Sequence, residues 1–152
     1  MKIGITAASG KLGEAVIQEL LKEVDKDDII AIARTPKNAQ HLGVEIRKGD
    51  YNSPEEFDVA LKGVDAVLLV SGMDEPQKRI IQHRNVIAAA KKPYSGTYIS
   101  NKTMVIVAPI TDTKAPSLVL LFSLYQILRL KNMPRKRLAK SSIGTMVRPS
   151  GC

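Results

Sequence analysis

The apolar positions of this chain change their period several times, and those changes lay out its first ninety residues. A largely apolar run, Met1 to Ile5, gives way to a segment from Leu12 to Val24 in which Leu12, Val16, Leu20 and Leu21 recur at helical spacing, with Lys11, Glu14, Gln18 and Lys22 opposite. This predicts a strand followed by an amphipathic helix. Asp25-Lys26-Asp27-Asp28 ends the helix, and Ile29-Ile30-Ala31-Ile32-Ala33 is apolar throughout, as a parallel strand covered on both faces should be. Val44-Glu45-Ile46 predicts a third strand. Ser53-Pro54-Glu55-Glu56 predicts a helix opened by a capping box with proline at its first position, and Gly63 predicts its stop. Asp65 to Val70 is the most apolar strand of this half. A helix from about Glu75 to Lys91 follows, with Ile80, Ile81, Val86, Ile87 and Ala90 as its expected buried face. Strands alternating with helices predict an α/β fold, a Rossmann-type doubly wound parallel sheet.

The first turn carries the candidate chemistry. Ile5-Thr6-Ala7-Ala8-Ser9-Gly10-Lys11-Leu12-Gly13 joins strand to helix with small residues, so that a dinucleotide pyrophosphate can reach backbone N–H groups and the positive end of the helix. Gly10 allows that approach and Gly13 allows close packing of the helix, while Ala7 stands where the pattern usually has its first glycine. At the end of the second strand an acid would suit the ribose hydroxyls of NAD, and an arginine the 2′-phosphate of NADP; here the residue is Arg34, with Lys37 nearby. A solvated arginine at a strand end is the plain alternative. Asp50 reaches toward an adenine or caps its own loop, and Ser71-Gly72 lines the ligand crevice or forms an ordinary turn. His83 has no acid or second histidine at ligand spacing, which makes it a packing or surface histidine before a catalytic one.

Charge changes the picture only beyond this point. Residues 1–90 carry 12 Lys/Arg and 14 Asp/Glu, whereas residues 91–152 carry 11 Lys/Arg and a single acid, Asp112. The formal charge of +8 therefore belongs to the last two-fifths, and the chain divides near residue 91. One cysteine, Cys152, excludes an internal disulfide framework, and the opening residues lack the basic and apolar regions of a secretory leader, so a cytoplasmic protein is expected.

Taken together, Ile5 to Gly13, Ala33 to Ala39, Gly49-Asp50-Tyr51, Gly63 to Ser71 and Gln82 to Lys91 resemble the NmrA-like branch of the atypical short-chain dehydrogenase/reductases, most closely its bacterial NADPH-dependent quinone oxidoreductases. The resemblance covers residues 1–91. It implies NADP(H) in preference to NAD(H), held by Thr6, Ala8, Ser9, Gly10, Lys11, Leu12 and Gly13, with the 2′-phosphate on Arg34 and Lys37 and the adenine near Asp50. The nicotinamide side would run past Val70, Ser71 and Gly72, toward a quinone-like acceptor. A homodimer is compatible with this reading, and no catalytic residue is named by it.

After Lys91 the family's fifth strand with its Thr-Ser pair and its later Arg-Asn-Gly element are not in place. Instead there are Pro93-Tyr94-Ser95-Gly96, a strand-like run Met104 to Ala108, an apolar stretch Leu118 to Leu130 and a basic cluster Lys131 to Lys140. The apolar stretch falls short of the roughly 20 residues needed for a membrane span. The basic cluster lacks a reading helix or stacking aromatics, so a solvated tail is expected rather than a specific nucleic-acid site. The tail also reads as an out-of-frame translation, since synonymous codons for Leu118 to Ser123 and for Leu130 to Arg135 allow family-like sequence in another frame. Were it foreign to the fold, four strands would remain with one sheet edge uncovered. Two functions follow: hydride transfer from NADPH to a quinone-like acceptor, or a non-catalytic NAD(P) redox sensor that signals to a protein partner.

Overall fold

The structure, a computed structural model, describes residues 1–91, the backbone of residues 104–108, and residues 125 and 127–129. Five parallel strands form its sheet: β1 (Ile3–Ile5), β2 (Ile29–Ala33), β3 (Glu45–Lys48), β4 (Ala66–Val70) and β5 (Met104–Ala108), in the order β3-β2-β1-β4-β5. The helices between them are α1 (Lys11–Leu20), α2 (Pro54–Ala60) and α3 (Pro76–Lys91), with short 3₁₀ segments at Lys26–Asp28 and Pro36–Leu42. This order reverses direction between β1 and β4, and it is the Rossmann order of an α/β sheet whose ligands bind at the carboxyl edge beside that reversal.

Side-chain alternation along β2 and β4 feeds two separate cores. Ile29, Ala31, Ala33, Leu68 and Val70 join Ile3, Ile5, Val16, Ile17 and Leu20 on the α1 face. Ile30, Ile32, Val67 and Leu69 join Phe57, Leu61, Val86, Ala89 and Ala90 on the face of α2 and α3. Both faces of these strands are covered, which is why their sequence is apolar at every position.

Several expectations are corrected. The first helix stops at Leu20, and Leu21, expected on its apolar face, is exposed; a 3₁₀ turn rather than a plain break occupies Lys26–Asp28. Ser53 and Pro54 stand at the N-cap and first helical position of α2, but the Ser53 side chain makes no cap. Glu56 reaches back instead to the backbone N–H of Asp50 at 2.9 Å. On α3, Ile80 and Ile81 are 54% and 59% exposed, while Gln82 is 2% exposed. The buried face of α3 is Gln82, Val86, Ala89 and Ala90, because only that side meets the sheet and α2.

The strand-like run Met104 to Ala108 is β5, so among the described residues the sheet has five strands and not the four that a tail foreign to the fold would leave. β5 pairs with β4 from Ala66↔Met104 to Val70↔Ala108, so β4 is an interior strand, and Ile127 is buried in the α1-side core. Residues beyond Lys91 thus contribute to both sheet and core. Pro93 to Gly96, the basic cluster Lys131 to Lys140 and Cys152 lie outside the described residues, as does most of the stretch Leu118 to Leu130. Among the described residues no helix is long and apolar enough to cross a membrane.

Candidate functional site

At the carboxyl end of β1 the chain turns through Thr6 to Gly10 into α1. The Thr6 N–H donates to the Leu68 carbonyl at 3.0 Å and the Ala8 N–H to the Ile32 carbonyl at 3.1 Å, so β4 and β2 hold the turn from either side. Ala7 has φ of 50°, in the left-handed region that costs a residue with a Cβ about 1–2 kcal/mol. Alanine therefore makes the turn that glycine usually makes, with the glycine's backbone conformation. The Ala7 carbonyl then accepts from the Gly10 N–H at 2.9 Å.

Gly13 faces the backbone of this turn. A Cβ there would lie 2.4 Å from the Ala7 oxygen and 2.9 Å from Ala8 Cα, so only glycine lets α1 come this close. Gly10 is the N-cap residue, and no side chain caps the helix. Ser9, Gly10 and Lys11 are exposed, Ala8 and Gly13 are buried beneath them, and Leu12 packs partly into the α1-side core. Uncapped backbone N–H groups at a glycine-lined helix start are what an anionic pyrophosphate needs, so the residues present fit a dinucleotide.

Arg34 follows β2 immediately and is exposed, as is Lys37 on the next 3₁₀ segment. Asp74, exposed in the loop after β4, feels the Arg34 charge. Its carboxyl is held below the usual range first by the hydrogen bond from Gln82 Nε2 at 2.7 Å, then by Lys78, and last by Arg34. Asp50 accepts the Asn52 N–H at 2.9 Å, so its carboxylate caps its own turn. Of the two roles open to Asp50, loop capping is the one visible in the folded chain.

Beneath the crevice lies a network that inspection of the sequence missed. Buried Thr6 donates through Oγ1 to the Leu68 carbonyl at 3.2 Å and accepts the Val70 N–H at 2.9 Å. The Tyr51 hydroxyl stands 2.6 Å from the same Oγ1 and also meets the Val70 carbonyl. Thr6 is thus spent inside the protein, binding the ends of β1 and β4 together. Next to it, Gln82 donates to Asn52 and Asp74, and the open space at Gly72 faces Gln82 Oε1, where a Cβ would lie 3.5 Å away.

Ser71 and His83, neither of which had a visible partner in the sequence, are partners of each other: Ser71 Oγ lies 2.8 Å from His83 Nε2. Twelve residues separate them, and only the packing of α3 on β4 brings them together. Burial, and then the Arg79 charge, lower the His83 pKa from its ordinary value. Among the described residues no group of His, Cys, Asp and Glu is arranged to hold a metal ion.

A family model described as NAD(P)H-binding matches residues 7–151. Quinone oxidoreductase 2 of Escherichia coli is 46% identical over 92 residues, which make up 59% of this chain and 32% of that protein. An NmrA-like family domain-containing oxidoreductase of Aspergillus flavus is 32% identical over 98 residues, 60% of this chain and 32% of its own. A solved NADPH-dependent quinone oxidoreductase from Escherichia coli in complex with NADPH superposes with a TM-score of 0.61 at 33% identity, covering 86% of this chain and 46% of that one. The chain spans about a third of the length of these curated relatives. The family model spans nearly the whole chain, and the five-stranded parallel order accords with the superposition on that solved structure; the chain belongs to the NAD(P)H-binding family.

Proposed function

We propose that this protein binds NADPH in preference to NADH and delivers its hydride to a quinone-like acceptor. The observation that carries the reading is the exposed Arg34 at the end of β2, beside the uncapped, glycine-seated start of α1 at the end of β1. When bound, the dinucleotide supplies the hydride. The protein's part is to hold and orient it. The backbone from Ala8 to Gly13 and the positive end of α1 receive the pyrophosphate, and Arg34 with Lys37 receives the 2′-phosphate through charge and the planar guanidinium fork. Asp50 stands at the adenine end. Val70, Ser71 and Gly72, at the end of β4, line the path toward the nicotinamide.

Binding of NADPH and of NADH to the full chain, followed by fluorescence or calorimetry, tests the cofactor half of this reading. NADPH oxidation with a panel of benzoquinones and naphthoquinones tests the other half. Preference for NADPH together with quinone-dependent oxidation supports the proposal. Binding without turnover of any quinone, with unequal affinity for the oxidised and reduced cofactor, supports the sensor instead. No binding to either cofactor refutes both.

A further inference from the structure

Ser71 is the first residue after β4, at the carboxyl edge of the sheet where the strand order reverses. The residue before it is held from two sides, since the Val70 N–H donates to Thr6 and the Val70 carbonyl meets the Tyr51 hydroxyl. Ser71 Oγ is 2.8 Å from Nε2 of His83, which is half-buried in the middle of α3 and still in reach of water. A hydroxyl at the mouth of the crevice, backed by an imidazole that touches solvent, is a pathway for a proton.

We propose that Ser71 and His83 form a proton relay, in which Ser71 Oγ gives the proton that the reduced acceptor needs and His83 Nε2 restores it. This rests on the quinone-reductase reading above. Two-electron reduction of a quinone takes up one hydride, from NADPH as it becomes NADP⁺, and one proton, which completes the hydroquinone. The proton has to arrive at an acceptor oxygen that has just gained negative charge. The neutral imidazole with its hydrogen on Nε2 donates to Ser71 Oγ, which leaves the serine hydroxyl hydrogen free to point at that oxygen. As the hydroxyl proton leaves, the Nε2 hydrogen passes to Oγ and Nδ1 takes a proton from water, so that the net transfer is one proton from solvent to the acceptor. The charged group acting on the ring is Arg79, one turn earlier on α3. Together with burial it favours the neutral ring on which this relay depends.

The test uses the full chain and its Ser71→Ala, Ser71→Thr and His83→Gln variants, with NADPH and 1,4-benzoquinone as probes. The relay predicts that Ser71→Ala and His83→Gln lose about 10²-fold in kcat. NADPH affinity and quinone KM should stay within about threefold, on the scale where a tenfold change is 1.4 kcal/mol. Ser71→Thr, which keeps the hydroxyl, should recover a large part of the loss. In the cofactor-free protein, the ¹⁵N signals of His83 should show hydrogen on Nε2, a result that does not depend on turnover. Hydrogen on Nδ1 alone, or an unchanged kcat in both Ser71→Ala and His83→Gln, overturns the relay while leaving quinone reduction standing. Wild-type protein that binds NADPH and reduces no quinone overturns the function and the relay with it.

Discussion

The Tyr51 hydroxyl lies 2.6 Å from Thr6 Oγ1, and through it the loop after β3 is fastened to the ends of β1 and β4. The ring stacks on Phe57 with centroids 5.6 Å apart and planes at 10°, so the phenol is aimed from within the core toward the floor of the crevice. Tyr51→Phe keeps that stacking and strips a partner from the Val70 carbonyl and from Thr6. We expect a loss of about 1–2 kcal/mol in unfolding free energy, measured by urea denaturation.

Tyr51 also sets a pH dependence. Burial pushes its pKa from 10.0 up to about 12, against the opposing effect of its hydrogen bond with Thr6. The folded state therefore keeps the proton more tightly than the unfolded chain does. This contribution is complete below about pH 10 and is lost as pH rises through about 12. The stability difference between wild type and Tyr51→Phe should shrink across that window, whereas a difference that stays constant would contradict the assignment.

The turn makes two opposite predictions. Gly13→Ala places a Cβ 2.4 Å from the Ala7 oxygen, and because that atom is backbone the helix must move; a loss of about 2–4 kcal/mol is expected, with NADPH affinity falling too. Ala7→Gly relieves the left-handed strain at φ of 50° and returns part of the gain as unfolded-chain entropy. A net stabilisation of up to about 1 kcal/mol should appear in thermal melts. A destabilised Ala7→Gly would mean that the Ala7 methyl packs more than its backbone strains.

Arg34 and Asp74 should act oppositely on cofactor choice. Arg34→Ala is expected to weaken NADPH by about 10- to 100-fold and to leave NADH nearly unchanged, since in the proposed site only the 2′-phosphate would meet the guanidinium. Asp74→Asn removes a negative charge from the same neighbourhood while keeping an oxygen for Gln82 Nε2, and should tighten NADPH by about two- to fivefold at low salt. Titrations of both cofactors at two ionic strengths separate the effects. Equal changes for NADPH and NADH would take the 2′-phosphate away from Arg34.

His83 predicts a dependence at the acid end. Its pKa is lowered in the folded protein by burial and then by Arg79, so the unfolded chain binds this proton more readily. The stabilising contribution is present above the ordinary histidine value of about 6.5 and is lost as pH falls through the lowered folded value. His83→Gln removes it. Melting temperatures of the two proteins should therefore converge, or cross in favour of the variant, as pH falls below about 6.5.

Much of the fold is written in local pattern. β2 emerges at Ile29–Ala33 as its run of apolar residues predicts, and β4 and α3 begin within a residue of expectation, because unbroken apolar runs and helix-stop signals are properties of neighbouring residues. The turn at Thr6 to Gly13 is legible for the same reason: its small residues follow one another along the chain. Arg34 is placed by counting to the end of a strand.

What the sequence by itself determined, then, is the succession of strands and helices along the first ninety residues, the seat of the first helix and the residues that end β1, β2 and β4, whereas β3 runs on to Lys48, two residues past its expected end. The tertiary structure decided which side of α3 is buried, since Ile80 and Ile81 look apolar in isolation yet Gln82 is the side chain that meets Asn52 and Asp74. It also decided that β5 closes the edge of β4, that Thr6 is spent on Leu68, Val70 and Tyr51, and that Ser71 meets His83. Each of these depends on residues between 8 and 64 positions apart. Periodicity reports only which face of an element is apolar, and hydrogen bonds between elements depend on how those faces are finally packed.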